Sequence, residues 1–302
     1  MSCAHGPDPP SRAWSGAWRL PLLSTAALLA ITAVWGISFV WVRDAVAVYP
    51  VFPFLAVRFT LGVLVLLPFL GRRLSRADRG ALLGGFWMGL ALFCGYAFQT
   101  LGLLFTSASH SGFITGLFVV LTPVFQALWL RRAPKLAVIA AVLLASSGLF
   151  LLSFAGGLEG MNRGDLLSLI CAAVYAVHLL VTGHQAHRHD TGVLVLTQLA
   201  TVAGLAWLAS IPRLGTVWPI PPAAAWGILL TALLATALAY LVQTTCQRYV
   251  SAVQTALIFT MEPVFAGLFA VWVGGENLGL RGLLGGGLIV AGMLWGQLSG
   301  HE

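Results

Sequence analysis

Long apolar runs separated by short polar connectors set the pattern of this chain. The runs cover about residues 22–42, 51–70, 81–102, 109–130, 135–154, 164–183, 192–211, 223–246, 252–273 and 281–299. A helix needs roughly 20 apolar residues to cross the hydrocarbon of a bilayer, so the pattern predicts ten spans. Backbone amides in lipid must be bonded within their own segment, and runs this rich in Leu, Ala and Gly do that as helices. No connector is long enough for a separate water-facing domain. The prediction is therefore an all-α polytopic bundle. Residues 1–20 are polar and Pro-rich and read as a tail. The following LLSTAALLAITA resembles a signal-peptide core, but the apolar run continues through WGISFVWV, so it reads as the first span.

The chain repeats itself. An offset of 144 residues lays Tyr96-Ala-Phe-Gln99-Thr100 on Tyr240-Leu-Val-Gln243-Thr244, Ser107-Ala108 on Ser251-Ala252, and Gly148 on Gly292. Over the first two spans an offset of 140 fits better, with Ala33-Val-Trp35 meeting Ala173-Val-Tyr175. The offset changes in the Pro-rich connector IPRLGTVWPIPP. Each half, 21–155 and 164–299, then holds five spans. Five is odd, so the halves cross the membrane in opposite directions. Inverted repeats are the signature of many secondary transporters, whose substrate sites lie near the midplane between the repeats.

Composition agrees with a lipid solvent: 59% of residues are hydrophobic and 8% charged, against about 25% charged in soluble domains. The net charge of +7 forms no basic stripe interleaved with aromatics, which argues against nucleic acid. It falls instead in short connectors. With the N-terminus inside, the inner face holds Arg12, Arg19, Arg72, Arg73, Arg76, Arg79, Arg131, Arg132, Lys135, Arg188 and Arg248. The outer face holds only Arg43, Arg163, Arg213 and Arg281. That bias predicts both termini in the cytoplasm, in a plasma membrane of the bacterial inner-membrane type. Cys3, Cys94, Cys171 and Cys246 are isolated and read as packing residues. His184, His187 and His189 have a metal-like spacing, but they share a loop with Arg188 and Asp190, and no metal or cofactor is expected. Glu276 and Arg281 read as a solvated pair flanking the last outer turn.

The polar residues inside the spans carry the candidate chemistry. Tyr96 and Gln99 share one face of the third span, and Tyr240 and Gln243 share one face of the eighth. Two such pairs related by the repeat can hydrogen-bond a substrate without fixed charge, or can join helices. Trp35, Phe39 and Tyr175 are candidate cavity aromatics, and His110 and His178 candidate substrate or proton ligands. Glu262 stands inside ALIFTMEPVFAG, directly before Pro263. An intramembrane carboxylate marks a functional site or a structural charge with a partner. It reads here as a coupling acid for protons, a counter-charge for substrate, or a structural carboxylate. Arg58 reads as a structural charge paired with an acid or backbone carbonyls. Pro263 and Pro123 predict helix kinks, with Pro123 four residues later than the 144 offset requires.

Enzymatic readings find no support. Asp8, Asp44, Asp78, Asp165 and Asp190 all lie outside span centres, and no HExxH or intramembrane Ser-His arrangement is present. A passive channel or a structural membrane component remains the alternative to a carrier, although no selectivity filter or charged ring is visible.

Three stretches carry a family resemblance. They are AVWGISFVWVRDAV with FPFLAVRFTLG, then GLLFTSASHSGFITGLFVVLTPVF, then RYVSAVQTALIFTMEPVFAGLFAVWVGGENLGLRGLLGGGLIVAGML. Through them the chain resembles the EamA-like branch of the drug/metabolite transporter superfamily over residues 24–299. The resemblance implies ten helices in an inverted five-plus-five repeat, with alternating access around a central cavity. It also implies export or exchange of a small organic metabolite such as an amino acid, or of a drug. Where the family often has Gly-Glu, the first repeat has Leu130-Arg-Arg-Ala-Pro134, while the second keeps Gly275-Glu276. Glu262 before Pro matches relatives with varied substrates, which points it toward a structural or mechanical role. The bilayer and a small-molecule substrate are the implied partners, and the sequence leaves monomer and homodimer open.

Overall fold

The computed structural model describes residues 19–102, 105–106, 108–131, 133–153, 162–274 and 279–299. Residues 1–18 of the tail, residues 154–161 at the junction between the halves, Cys3 and Glu276 lie outside the described residues. So do the side chains of Phe39 and His110. The helices are α1 (Arg19–Val48), α2 (Val51–Leu74), α3 (Arg79–Gly102), α4 (Ala108–Gly116), α5 (Phe118–Leu130), α6 (Leu136–Ser153), α7 (Arg163–Ala186) and α8 (Thr191–Ser210). There follow a 3₁₀ turn (Ile211–Thr216), α9 (Pro222–Leu230), a π-helical stretch (Thr231–Leu238), α10 (Ala239–Cys246), α11 (Ala252–Phe259), α12 (Glu262–Gly274) and α13 (Gly279–Ser299).

Among the described residues, nine helical stretches are long and apolar enough to span a membrane, and the apolar stretch Leu136–Leu151 is a shorter tenth. The chain is thus an integral, multi-pass membrane protein of ten helical spans. Large apolar side chains such as Phe69, Leu136 and Leu298 stand exposed on its outside, as lipid contact requires. Several exposed tryptophans lie near helix ends. Trp129 and Trp295 stand near the ends of α5 and α13, Trp218 and Trp226 flank the start of α9, and Trp272 stands near the end of α12. Indole rings settle at the headgroup level.

Local sequence sets the helix starts. Asp190 caps α8 by accepting from Gly192 and Val193 amides, and it also meets Arg73 at 3.0 Å. Asn162 with Asp165 opens α7, and Ser251 with Gln254 opens α11, each as a reciprocal capping box. Asp78 approaches His189 at 3.4 Å. The Arg73–Asp190 and Asp78–His189 pairs close one end of the bundle, where the α2–α3 and α7–α8 turns meet.

The halves form an inverted repeat whose interhelical contacts are themselves symmetric. α2 packs along its equivalent α8, and α6 along its equivalent α13. α3 on α7 is matched by α9 and α10 on α1, and α5 on α7 by α12 on α1. The α6–α13 crossing shows the register. A Cβ on Gly148 would meet the Gly285 carbonyl and the Ile289 amide; one on Gly292 would meet the Ala141 carbonyl and the Ala145 amide. Residues 285 and 289 are 141 and 145 advanced by 144, so the same contact occurs twice.

The fourth span of each half is broken. Between α4 and α5, Leu117 N–H bonds Ile114 O at 3.1 Å; between α11 and α12, Met261 N–H bonds Ile258 O at 3.0 Å. Leu121 N–H then bonds Leu117 O at 3.0 Å, and Phe265 N–H bonds Met261 O at 2.9 Å. The breaks are 144 residues apart and share these two bonds, while Val120 N–H additionally bonds Leu117 O at 2.9 Å in the first half. Pro263 is therefore the second residue of a half-helix, where its missing N–H has no intrahelical partner to lose. Pro123 lies inside α5, past the break.

Candidate functional site

The pseudo-twofold axis can be located from one hydrogen bond. The hydroxyls of Tyr96 and Tyr240, repeat equivalents, meet at 2.9 Å. Equivalent atoms touch only where the axis passes between them. Around this pair lies a continuous aromatic cluster. Phe59 stands edge-on to Tyr96 at 5.4 Å and near Tyr240 at 6.3 Å. Tyr175 stands edge-on to Tyr96 at 6.3 Å. Trp35 contacts Tyr240 at 5.8 Å and Phe259 at 4.9 Å.

The π-helical stretch feeds this cluster. Ala235 O accepts from Trp35 Nε1 at 2.9 Å and from Arg58 Nη2 at 3.3 Å. Arg58 Nε donates to Thr236 Oγ1 at 2.7 Å. The guanidinium is buried and lies 5.9, 5.6 and 5.7 Å from the ring centres of Phe54, Phe59 and Tyr96. Its charge is spread over a carbonyl, a hydroxyl and three π faces. No described acid pairs with it.

Glu262 opens α12 from the other side. A Cβ on Gly36 would stand 2.8 Å from Glu262 O and 3.0 Å from the Ala266 amide, so α1 and the start of α12 touch next to Trp35. The Glu262 side chain is half-buried. Among the described residues it has no hydrogen bond or ion pair. Its repeat equivalent at the start of α5 is Phe118. The scaffold is symmetric, but the charge is not.

The other sequence candidates separate. His178 is buried, with Nε2 at 3.2 Å from Gln198 Oε1 and 3.4 Å from Thr182 Oγ1; Gln198 Nε2 donates onward to Thr244 Oγ1 at 3.2 Å. Gln243 is also buried, and Nε2 donates to Gln247 Oε1 at 3.3 Å. Both are held in interhelical networks. Gln99, half-buried, has no side-chain hydrogen bond among the described residues. The structure thus brings Trp35, Tyr96, Tyr175, Tyr240, Arg58 and Glu262 together, sets the His178 ring edge-on to Tyr240 at 6.4 Å, and ties His178 and Gln243 by hydrogen bonds into the surrounding frame. Gln198, Thr236, Phe59 and Phe259 were not singled out by sequence. Gln198 alone carried a readable signal, an amide within the apolar run LVLTQLAT. No described cluster of His, Cys, Asp or Glu has a metal-holding arrangement.

The tyrosine pair makes a measurable prediction. Tyr96→Phe and Tyr240→Phe each remove one hydroxyl from the same bond. Each is expected to lower stability by roughly 0.5–1.5 kcal/mol, and the double variant by little more than either single. Thermal unfolding in detergent of all four proteins reads the coupling. Strictly additive losses would show that the two hydroxyls do not depend on one another.

The comparisons place this geometry among known proteins. The model of the EamA-like transporter family matches the chain twice, at residues 23–154 and 162–295. An uncharacterized transporter of Archaeoglobus fulgidus is 33% identical over 257 residues, covering 85% of this chain and 80% of that protein. A solved crystal structure of a protein, 19% identical, superimposes with a TM-score of 0.77 over 93% of this chain and 97% of its own. That last likeness is one of fold.

Proposed function

The chain belongs to the EamA-like transporter family, and from that premise we propose that it is a secondary carrier working by alternating access about the Tyr96–Tyr240 pair. It moves a small organic solute outward or in exchange across a plasma membrane of the bacterial inner-membrane type, with both termini in the cytoplasm. The observation that carries this reading is the self-contact of equivalent tyrosines, together with two spans broken at equivalent positions. A carrier needs two access states of similar energy, and an inverted repeat supplies them by letting each half adopt the other's conformation. The broken spans supply joints, because backbone between half-helices lacks a full ladder of hydrogen bonds to hold it straight.

The test is solute counterflow. Proteoliposomes are loaded with unlabelled members of a panel: aliphatic and aromatic amino acids, nucleobases and lipophilic cations. Each is then diluted into trace labelled solute. A carrier is expected to give transient, saturable accumulation of one class. Flux that rises linearly with concentration and shows no counterflow would instead support a channel.

A further inference from the structure

We propose that Glu262 and the aromatic cluster beside it bind an organic monocation with an aromatic or bulky apolar body. This rests on the carrier reading of the same site and names its substrate class. Several observations converge on it.

The first is the state of the two interior charges. Arg58 already has partners: Thr236 Oγ1 at 2.7 Å, Ala235 O at 3.3 Å, and three ring faces within 5.9 Å. Its side chain is also only 3% exposed. Glu262 is partly accessible and has neither hydrogen bond nor ion pair among the described residues. A ligand therefore meets an unengaged carboxylate and an engaged guanidinium. Intramembrane carboxylates without a protein partner are unfavourable, and a cationic ligand supplies the missing charge.

The second is what surrounds the carboxylate. Trp35 lies beside Gly36, which touches the Glu262 backbone, and Phe259 stands one turn before Glu262 with its ring 4.9 Å from that of Trp35. Tyr240 lies 5.8 Å from Trp35, and Tyr175 stands edge-on to Tyr96 at 6.3 Å. Aromatic faces attract cations, most strongly when desolvated, and accept an apolar body equally well. Neither property helps an anion.

The third is asymmetry. The other described acids, Asp44, Asp78, Asp165 and Asp190, lie near helix ends or in turns, and the repeat equivalent of Glu262 is Phe118. One carboxylate without a second makes the site suited to a single positive charge rather than two.

Benzyltrimethylammonium is the probe, against two controls of similar shape: its neutral carbon isostere neopentylbenzene, and phenylacetate. Equilibrium binding of the radiolabelled cation to the purified full chain in detergent is expected to saturate. Neither control is expected to compete. Glu262→Gln is expected to weaken binding at least about tenfold, and Glu262→Asp to retain part of it. Trp35→Leu is expected to weaken binding several-fold. Retention of melting temperature and gel-filtration profile separates lost binding from lost fold. Equal competition by the neutral isostere, or unchanged binding in a folded Glu262→Gln protein, overturns the proposal. Counterflow of a zwitterionic or neutral solute with no cation binding overturns the ligand class and leaves the carrier standing. Cation binding without counterflow of any solute upholds the site and removes the carrier.

Discussion

Glu262→Gln is expected to reduce counterflow of the transported solute at least about tenfold while the protein stays folded. The argument begins with what the substitution leaves alone. Gln matches Glu in shape, and the Glu262 side chain makes no hydrogen bond or ion pair with a described residue that the change could break. The backbone contact at Gly36 involves the carbonyl oxygen, which is kept. Removing an unpaired intramembrane charge relieves a desolvation penalty, so the melting temperature is expected to hold or rise. What the substitution does remove is the carboxylate at the start of α12, where that helix meets α1 beside Trp35. A tenfold loss corresponds to about 1.4 kcal/mol, within the range of one charge-assisted contact. Running the assay with and without a pH gradient separates two roles. Loss of the gradient response with exchange retained would mark the carboxyl as the proton carrier; loss of both would mark it as the substrate's counter-charge. A folded variant with wild-type counterflow and wild-type pH response would leave Glu262 a structural residue, despite having no partner to be structural with.

Much of the scaffold is legible in the sequence because hydrophobic length and repetition are both written along the chain. The ten runs predict ten spans, and the 144 offset pairs Tyr96 with Tyr240 before any coordinates place their hydroxyls 2.9 Å apart. The resemblance to the EamA-like family, read from the quoted stretches, agrees with both matches of the family model. The hinges are harder to read. Proline predicts them at Pro123 and Pro263, yet the breaks fall at Leu117 and at Thr260-Met261. Their bonding is fixed by packing against α7 and α1, and Thr-Met carries no breaking signal of its own. The four-residue mismatch between the prolines is thus real: one opens a half-helix and the other lies within one. The π-helical stretch TALLATAL is equally silent, since its residues would suit an ordinary helix, and nothing in it announces that the Ala235 carbonyl receives Trp35 and Arg58. Burial is the other blind spot. Gln99 and Gln243 are equivalent in sequence, but Gln247 lies one turn beyond Gln243 and engages it. The corresponding position after Gln99 is residue 103, a Leu, which offers no such partner.

Gly148→Val and Gly292→Val are expected to be the most destabilising single changes in the bundle. Between lipid-embedded helices, close backbone approach through small residues provides much of the attraction, because burial from water adds little there. At the α6–α13 crossing a Cβ on either glycine would fall under 3.0 Å from two backbone atoms of the opposing helix. Backbone cannot rotate aside as a side chain does, so the helices must separate along their whole contact. Overpacking typically costs about 1–3 kcal/mol, and a crossing that separates as a unit belongs at the upper end or beyond. Symmetry sharpens the prediction. The two sites are equivalent, so their losses should agree within about 1 kcal/mol, and the double variant should lose much less than the sum, because the first valine has already parted the helices. Melting temperature in detergent, with membrane yield as a second reading, checks all three. Near wild-type stability in either single variant would mean that the crossing can open without loss and that α6 and α13 are not a fixed part of the frame. Equal, non-additive losses would instead make this pair the static counterpart of the broken spans. The repeat would then be locked at one symmetric contact and free to move at another.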